Sequence, residues 1–514
     1  MKLSRRRAAV IASTVLLGLA LPASPAPAAA KSTPAKSAAA KTTTTKSTTT
    51  KTTVKTAVAP TLAGRLAAVK SAKSINYYPS NAGWSKMWSS FDATTIGADL
   101  DKAKALGATN VRAIIFPATF GYPTPKADYT TKLATFVNLA DARGMTVKFT
   151  LFDWWSAYAD VAGSTAWATA VLKPYKDDPR VIGVELQNEF DATDTAAVAW
   201  AKKMVPAMRS AFPTMPLTFS VDGDAGAAGM AKIKSALAGT PIDYYDFHFY
   251  GNSERALAMI RQAQAAVAPS PIVIGETGLN TLQNTEGDQA AFLARVFEAA
   301  GVAGVGSVSP WTLTDFVPGA IPDSAVSKLQ PQYNYGLYRT NGTAKAAAAV
   351  VKAAFTNTAM PVTLTDNSFE NAVGLTPWRP FMPELGQAVK TQGAARTGKW
   401  SVTLVNTGKN SAGSPSYRCA PIIPVQGGQK WHGEVWARGN ATTGASQIAV
   451  SWFDINDKWL GGTSSASLPN GTVGWTKLTV DGVAPAGSAS MQVHLKSGAN
   501  TGQVWFDDVL VTVA

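Results

Sequence analysis

The stretch VIGVELQNEF, residues 181–190, has the pattern of a buried parallel strand that ends in polar side chains. Its start, VIGV, is apolar, as expected for a strand that is covered on both faces. Glu185 interrupts the apolar run, and Asn188 and Glu189 stand side by side at its tip. Burying a carboxylate costs free energy unless it is paired. The polar tip therefore points to a catalytic role rather than to stability.

Seven similar segments lie on either side of this one. Helical stretches with apolar residues every three or four positions separate them, such as residues 128–144 and 288–301, and several of these helices stop at a glycine. A last helical segment covers residues 343–355. The eight predicted strands cover residues 74–79, 109–116, 146–152, 181–187, 216–221, 244–250, 271–276 and 304–311.

Eight strand–helix units over about 285 residues match the count and size of a (β/α)8 TIM barrel. The rival arrangement is an open, doubly wound sheet, which usually carries a glycine-rich phosphate turn after its first strand. Here the first strand leads into YYPSNAGW, residues 77–84, which is aromatic instead. The sequence therefore predicts the barrel.

The pattern changes after residue 360. Short segments of alternating polarity, separated by Gly, Asn and Pro turns, replace the helices, as in KWSVTLVN at 399–406 and WHGEVWAR at 431–438. This alternation predicts an all-β antiparallel sandwich, jelly-roll-like, of about 150 residues.

The N-terminal segment has the composition of an export signal followed by a spacer. Residues 1–30 combine a basic start, a short apolar run and an A-x-A site near Ala28 or Ala30, which predicts a signal peptide and a secreted, extracellular protein. Residues 31–70 are rich in Lys, Thr and Ala and are predicted to be a disordered linker. This linker is a solvated spacer, a cationic tether to an anionic cell wall or a glycosylated stalk.

The net charge of +14 comes almost entirely from the N-terminal segment. Residues 1–73 contain 13 Lys and Arg and no acidic residue, so the rest of the chain carries about +1. A nearly neutral folded region argues against a nucleic-acid partner. We also expect no membrane span, since the apolar run near the N-terminus is about 15 residues long. With Cys419 as the single cysteine, no intramolecular disulfide can form, and we expect a monomer.

Polar and aromatic residues mark the ends of several predicted barrel strands. In a TIM barrel the chemistry lies at the carboxyl ends of the strands, so these side chains are predicted to meet at one mouth. Two carboxyl groups that face each other there suit glycoside cleavage with retention of configuration. The residues are Arg112 on strand two, Asn188 and Glu189 on four, His248 and Tyr250 on six, Glu276 on seven and Trp311 on eight.

This set of residues resembles glycoside hydrolase family 5, the cellulase and mannanase family, within clan A. LQNE at the end of strand four and IGETG at the end of strand seven carry the resemblance, which covers residues 74–355. It implies that Glu189 is the acid/base and Glu276 the nucleophile. It also implies that Asn188 binds the sugar 2-hydroxyl group and that Trp311 is the platform beneath the reacting sugar.

The resemblance extends to three supporting residues. It implies that Arg112 and Tyr250 orient and ionise Glu276, and that His248 supports the acid/base region. Glu185 is predicted to be structural and to pair with Lys148 or Arg112. No cofactor is required by this chemistry.

One feature departs from the family pattern. The family usually has a His near the end of strand three, where this chain has Asp153, Trp154 and Trp155. Recognition of the reacting sugar is therefore expected to differ. Trp154, Trp155 and Tyr78 are predicted to bind sugar rings, because loop aromatics on the catalytic face suit stacking.

The C-terminal region resembles the β-sandwich carbohydrate-binding modules that are attached to such enzymes. Trp378 and Trp459 lie in turn-like contexts and are the better candidates in this region for contact with a ligand, beside the alternative that they only pack. Asp507 and Asp508 are predicted either to help hold a structural calcium ion or to cap a strand. The predicted organisation is a catalytic barrel over residues 71–358 and a sugar-binding-like module over 362–514.

Together these features predict a secreted retaining β-glycoside hydrolase, endo-acting on a β-linked polysaccharide such as β-mannan or β-glucan. Two alternatives stay open. One is a catalytically silent protein that binds glycan or cell wall, and the other is a transglycosylase that uses the same residues.

Overall fold

The computed structural model of the chain describes residues 59–358, 366–370, 378–381, 385–405, 415–419 and 423–513. The predicted signal peptide, residues 1–30, and the predicted linker as far as residue 58 lie outside the described residues. None of the helices in the described part combines the length and hydropathy needed to span a bilayer.

The first part of the described chain is a barrel of parallel strands. The strands form a five-stranded sheet in the order β1-β2-β3-β4-β5 and a four-stranded sheet in the order β6-β7-β8-β9. The predicted fold is confirmed, and only the fifth barrel strand differs, because it is split into β5 and β6. The strands are β1 Ser74–Asn76, β2 Asn110–Ile114, β3 Thr146–Thr150, β4 Val181–Glu185, β5 Leu217–Thr218, β6 Ser220–Val221, β7 Tyr245–Phe249, β8 Ile272–Thr277 and β9 Val308–Pro310.

Helices cover the outside of the barrel and its two ends. Eight of them, α3 and α5 to α11, follow the eight barrel strands, whereas α2 and α4 are single turns in the loops that leave β1 and β2. The helices are α1 Leu62–Ser71, α2 Lys86–Ser89, α3 Ala93–Ala105, α4 Pro117–Phe120, α5 Ala127–Asp141, α6 Val161–Leu172, α7 Thr195–Ala211, α8 Gly226–Ala236, α9 Ala256–Val267, α10 Glu286–Val302 and α11 Ala346–Thr356.

Two seams close the barrel between the sheets. At Phe219, between β5 and β6, the carbonyl accepts a hydrogen bond from Asp246 N–H (3.3 Å), while Thr218 accepts one from Leu186 N–H (2.8 Å). At the other seam the Asn76 side chain on β1 donates to the carbonyl of Gly275 on β8 (2.8 Å). Backbone groups at both seams are thereby satisfied, as buried polar groups must be.

Helix α1 closes the end of the barrel where the strands begin. Thr61 caps its first turn by accepting from Gly64 N–H (3.0 Å). Val69 on its inner face packs against Ile182, Tyr244 and Val273, which lie at the start of their strands. The prediction that the linker continues to residue 70 is therefore wrong for residues 62–70, because apolar residues spaced along this helix pack against the barrel.

Arg65 anchors the same helix. Its guanidinium group, which is buried, donates to the carbonyl groups of Tyr175, Lys176 and Asp178 and to the Thr214 hydroxyl, over 2.8–3.3 Å. A single charged side chain thus satisfies three carbonyl groups in the loop before β4.

The C-terminal part is a sandwich of two antiparallel sheets, as predicted. One sheet has the order β10-β13-β19-β16-β17, with β14 paired to β19, and the other has the order β11-β12-β20-β15-β18. The strands are β10 Trp378–Phe381, β11 Gln387–Gln392, β12 Trp400–Val405, β13 Ser416–Cys419, β14 Ile423–Pro424, β15 Lys430–Thr442, β16 Ala445–Phe453, β17 Trp459–Ser464, β18 Gly471–Val483, β19 Ser490–Gly498 and β20 Gln503–Val513.

The inner faces of the two sheets form one apolar core. Trp378 belongs to this core with 1% of its surface exposed, so the prediction that it contacts a ligand is wrong, because its ring packs against Phe369 and Tyr417. Trp459, in contrast, is 61% exposed. Asp507 accepts hydrogen bonds from the backbone of Arg396 and Thr397, and Asp508 pairs with the Arg396 side chain. The predicted calcium site at these two residues stays a prediction.

We expect Arg65→Ala to lower the free energy of unfolding of the barrel by about 3 kcal/mol, because it leaves several buried carbonyl groups without a charged donor. Urea denaturation followed by tryptophan fluorescence measures this change. Lys70→Ala on the exposed face of the same helix is the matched control and should change stability by less than about 0.5 kcal/mol. Equal effects of the two substitutions would contradict the anchoring role of Arg65.

Candidate active site

The carboxyl ends of the barrel strands meet at one mouth, and the backbone there is strained. Trp84, Phe152, Trp154 and Glu189 have φ angles of 49°, 51°, 55° and 44°. Residues with side chains rarely adopt such positive values, which cost free energy and concentrate at functional sites. All four lie in the loops that leave β1, β3 and β4.

Arg112 on β2 lies at the centre of the mouth and is fully buried. Its Nη1 atom donates to Asn76 Oδ1 (2.9 Å) and to Glu276 Oε1 (2.6 Å). Its Nε atom donates to Thr150 Oγ1 (2.8 Å) and Glu185 Oε2 (2.9 Å). Strand register explains these four contacts. Asn76 on β1 is paired with Arg112 on β2, and Thr150 on β3 is paired with Glu185 on β4.

Glu276 at the end of β8 accepts a hydrogen bond at each carboxylate oxygen. Arg112 donates to Oε1, and the Tyr250 hydroxyl donates to Oε2 (2.9 Å). Burial, reinforced by the Glu276 charge, raises the pKa of Tyr250 well above its usual value, so the phenol keeps its proton. Glu276 is thus oriented by one cation and one neutral donor, as predicted from the resemblance.

Glu189 and Asn188 follow β4 and are held by different partners. The Glu189 N–H donates to Ser220 Oγ (2.6 Å) on β6, which fixes the strained turn. Asn188 Oδ1 accepts from Arg112 Nη2 (2.7 Å), so its Nδ2 group is directed to donate elsewhere. The two adjacent side chains are therefore both fixed at the mouth, one through its backbone and one through its amide oxygen.

The two glutamates face each other across the mouth. A carboxylate oxygen of Glu189, one of Glu276 and a ring nitrogen of His248 all lie within 4.8 Å of one another. Retaining glycosidases have their two carboxyl groups about 5–5.5 Å apart, whereas inverting enzymes need about 6.5–9.5 Å to admit a water molecule. The nearest oxygens of Glu189 and Glu276 are closer than the separation that inverting enzymes need, which favours the retaining arrangement.

His248 on β7 lies beneath the pair. Its Nδ1 atom is 3.4 Å from Glu189 Oε1 and 3.5 Å from Glu276 Oε2. Burial lowers the pKa of His248, but the charges of Glu276, Glu189 and Asp246 outweigh this and raise it to about 9. The ring is therefore an imidazolium near neutral pH.

Asp153 is a third carboxyl group at the mouth, at the place where the family usually has a His. It is 6% exposed, and its Oδ1 atom accepts from the Trp154 N–H (3.0 Å). Burial, with the Glu189 charge, raises the pKa of Asp153 to about 7 despite the opposing Arg112 charge. The sequence showed this departure but did not predict that the residue faces the catalytic pair.

Aromatic rings line one side of the mouth. Trp84 stacks on Trp154 (6.4 Å between ring centres) and meets Trp311 edge-on (5.6 Å). Trp154 is 43% exposed and therefore accessible to a sugar ring. Tyr78 is buried and stacks on Trp84 (5.2 Å), so its ring supports this wall instead of facing the ligand. Trp155 packs against Tyr122 and Phe152, away from these rings.

All the predicted polar site residues thus converge at one mouth, and Glu185 pairs with Arg112, one of its two predicted partners. Reasoning from sequence missed Asn76, Thr150 and Ser220. All three are short polar residues near the ends of β1, β3 and the fifth barrel strand. A polar residue at the end of a predicted strand was also the signal that identified Asn188. Such residues are common in sequences, so these did not stand out.

Comparison with known proteins gives one family match. Residues 70–314, from helix α1 to just after β9, match the family model described as Cellulase (glycosyl hydrolase family 5). No curated protein is similar enough in sequence to match the chain.

Solved structures are similar at low sequence identity. One is the exo-β-1,4-mannosidase Op5Man5 from Opitutaceae bacterium strain TAV5, with 20% identity, a TM-score of 0.47, and coverage of 55% of this chain and 59% of that one. Another is a GH5_18 protein from Streptomyces cattleya in complex with Manβ1-4GlcNAc, with 21% identity, a TM-score of 0.46, and coverage of 57% and 83%. A GH5_18 protein from Bifidobacterium longum subsp. infantis has 16% identity, a TM-score of 0.45, and coverage of 55% and 78%.

The structural similarities are too distant to bear on the substrate, whereas the family match covers every barrel strand and both glutamates. The predicted resemblance to glycoside hydrolase family 5 is thus confirmed for residues 70–314, and the match supports a glycoside hydrolase.

Proposed function

We propose that this chain is a secreted retaining β-glycoside hydrolase, endo-acting on a β-linked polysaccharide such as β-mannan or β-glucan. The observation that carries the mechanism is the spacing of Glu189 and Glu276, since one carboxylate oxygen of each lies within 4.8 Å of one of the other. This spacing leaves too little room for a water molecule to attack directly, so a glutamate attacks first. The choice of β-mannan or β-glucan rests on family analogy alone.

In the first step, a Glu276 oxygen attacks the anomeric carbon while the bond to the leaving oxygen breaks. Glu189 gives its proton to that oxygen, so the departing sugar leaves as a neutral alcohol. Arg112 and Tyr250 hold the attacking carboxylate in position through one hydrogen bond on each oxygen. The Nδ2 group of Asn188, whose Oδ1 atom is held by Arg112, donates to the sugar 2-hydroxyl group.

In the second step, water enters the site that the leaving group has vacated. Glu189, now ionised, takes a proton from this water while the water oxygen attacks the anomeric carbon. The bond to Glu276 breaks, and the carboxylate returns to its donors. Two inversions at one carbon restore the original β configuration. The two carboxyl groups supply the nucleophile and all proton transfers, so neither step uses a cofactor.

The aromatic wall supports a sugar-ring platform. Trp311 lies at the end of β9, next to the catalytic pair, and Trp154 presents an exposed face beside Trp84. The C–H face of a sugar ring stacks favourably on such rings. We assign Trp311 to the reacting sugar and Trp154 to a neighbouring one.

The sandwich is proposed to bind glycan beside the barrel. Its loop at residues 454–458 contacts the segment that follows β7, where Arg255 pairs with Asp457 and Gln262 donates to the Ile455 carbonyl (2.9 Å). That segment starts at the catalytic end of the barrel. The exposed Trp459 adjoins this loop, which suits a module that holds polymer near the mouth.

Two alternatives share the scaffold. A catalytically silent glycan-binding protein has no need for a carboxylate pair with matched donors, so the pair favours the enzyme. A transglycosylase would use the same residues and differ only in the acceptor, which can be a sugar instead of water. The basic segment before helix α1, residues 31–61, is proposed to associate electrostatically with the cell wall, and such binding should weaken as salt rises.

We expect the chain from Lys31 to release short oligosaccharides from one polymer among β-mannan, cellulose, mixed-linkage glucan, xylan and β-galactan. Chromatography of released sugars by length gives the substrate and distinguishes endo from exo action. When oligosaccharides are supplied as the substrate, products longer than these oligosaccharides would favour a transglycosylase. Tight binding to a polymer without any release would support the silent-binder alternative and contradict our proposal.

Glu276→Ala is expected to lower kcat by at least about 10⁴-fold, because it removes the nucleophile. Glu189→Ala should lower it by about 10²- to 10⁴-fold on the polymer and much less on substrates with acidic leaving groups, which need no proton. Initial rates on the polymer and on an aryl β-glycoside measure both effects. Glu286→Ala, which breaks the ion pair with Arg339 outside the mouth, is the control and should leave kcat unchanged.

Asp153→Asn is expected to change how stability depends on pH. The pKa of Asp153 in the folded chain, about 7, lies above its ordinary value of about 3.8, so the folded state holds its proton more tightly. Its contribution to stability is therefore lost as the pH rises from about 4 through 7. The melting temperature of the variant relative to that of the unaltered chain should rise across this window and level off above it. A constant difference from pH 4 to 8 would contradict the buried, protonated state.

A further inference from the structure

Three buried polar atoms below the catalytic pair lack a hydrogen-bond partner among the described residues. They are Glu185 Oε1 on β4 and Asp246 Oδ1 and His248 Nε2 on β7. All three side chains have no exposed surface. Buried polar atoms are rarely left unpaired in folded proteins, because each has given up its hydrogen bonds to water without replacing them. Three such atoms in one region point to a bound group.

The three side chains converge on one point. A carboxylate oxygen of Glu185, one of Asp246 and a ring nitrogen of His248 lie within 4.8 Å of one another, and His248 Nε2 is 4.0 Å from Asp246 Oδ1. The 4.0 Å between His248 Nε2 and Asp246 Oδ1 is too long for a direct hydrogen bond, and Glu185 Oε1 has no hydrogen-bond partner either. Side chains this close together can hold one small group between them at hydrogen-bond distance, about 2.8 Å for water.

Cations already surround this point. Lys148 Nζ is 2.6 Å from Asp246 Oδ2, and Arg112 Nη2 is 2.8 Å from Glu185 Oε2. With protonated His248, these cations number three. A divalent ion would add two positive charges beside Lys148 and Arg112 in a region of low dielectric constant, which is strongly unfavourable.

A water molecule fits the donors and acceptors. It can donate one hydrogen bond to Glu185 Oε1 and one to Asp246 Oδ1, and accept one from His248 Nε2–H. Buried waters typically make about three hydrogen bonds of this kind. A buried water therefore satisfies all three atoms without changing the net charge.

We propose that Glu185, Asp246 and His248 bind one water molecule inside the barrel, and that Asp246 acts through it as the positioning residue that keeps His248 doubly protonated beneath Glu189 and Glu276. The description of Glu189 and Glu276 as catalytic rests on the function proposed above. The water site itself does not depend on that function. In this arrangement Nε2–H is directed to the water, and Nδ1–H is directed to the two glutamates, 3.4 and 3.5 Å away.

Several charged or titratable groups surround the His248 ring and influence its pKa. The raised pKa of His248, about 9, is consistent with the arrangement, since burial alone would lower it and the carboxylates reverse this effect. These charged or titratable neighbours are Arg112 on β2, Lys148 and Asp153 on and after β3, Glu185 and Glu189 on and after β4, Tyr244, Asp246 and Tyr250 on or beside β7, and Glu276 on β8.

A crystal structure of the chain at high resolution tests the bound group directly. We expect a density peak about 2.7–3.0 Å from the three atoms, which is hydrogen-bond distance. A peak at about 2.0–2.4 Å that gives an anomalous signal would identify a metal ion and overturn the proposal. A direct contact between His248 Nε2 and Asp246, with no peak between them, would also overturn it.

Nitrogen-15 NMR of the histidine rings tests the role of Asp246. The chain has three histidines, His248 in the barrel and His432 and His494 in the sandwich, so the spectrum is simple. His248→Asn assigns the signal by its loss. The unaltered chain should show His248 titrating near pH 9, whereas His494, whose pKa burial lowers to about 4, stays neutral above pH 5.

Asp246→Asn should shift the His248 midpoint down by one pH unit or more, and the alkaline limb of kcat/KM should shift with it. Asp243→Asn, which removes the partner of Arg209 just before β7, is the matched control and should leave the midpoint in place. Because Asp246→Asn leaves Lys148 without its partner, the double variant Asp246→Asn, Lys148→Met provides a second test if the single one does not fold. An unmoved midpoint in either variant would overturn the positioning role. The NMR midpoint needs no activity, so it separates this failure from failure of the proposed function.

Discussion

The structure of the mouth depends on the buried guanidinium group of Arg112. A cation without solvent contact is tolerated only when acceptors surround it, because the cost of removing it from water is large. Arg112 meets this condition with side chains from four other strands or strand ends, at Asn76, Thr150, Glu185 and Glu276, together with Asn188. The same contacts that stabilise the charge also fix the position of Glu276, the carboxylate proposed to attack the sugar. Stability and catalysis therefore constrain the same set of side chains.

The interior of the barrel is built in two polar layers along its axis. The upper layer contains Glu189, Glu276 and the ring nitrogen Nδ1 of His248, and it lies at the mouth. The lower layer contains Glu185, Asp246 and Nε2 of the same ring. The His248 ring has one nitrogen in each layer. A change of charge in the lower layer therefore alters the electrostatic environment of Glu189 and Glu276 through this ring. Parallel register produces this arrangement, since His248 on β7 is aligned with Glu276 on β8.

Much of the fold and of the polar site could be predicted from the sequence. Strand-to-helix alternation predicts a barrel. In a barrel the carboxyl ends of all the strands lie at one mouth, so Asn188, Glu189 and Glu276 meet there whatever the conformation of the loops. Features that depend on packing between distant segments could not be predicted in this way. Helix α1 looked like the continuation of a linker because only its contacts with Ile182 and Val273 distinguish it. Trp378 looked exposed in a turn, but the burial of its ring depends on the opposite sheet.

The stereochemistry of cleavage tests the account most directly. Proton NMR of the first sugar released from the hydrolysed substrate, recorded before the anomers equilibrate, distinguishes one displacement from two. Glutamates this close together predict that the β anomer forms first. If the α anomer forms first, water attacks directly, and the assignment of Glu276 as a nucleophile positioned by Arg112 is wrong.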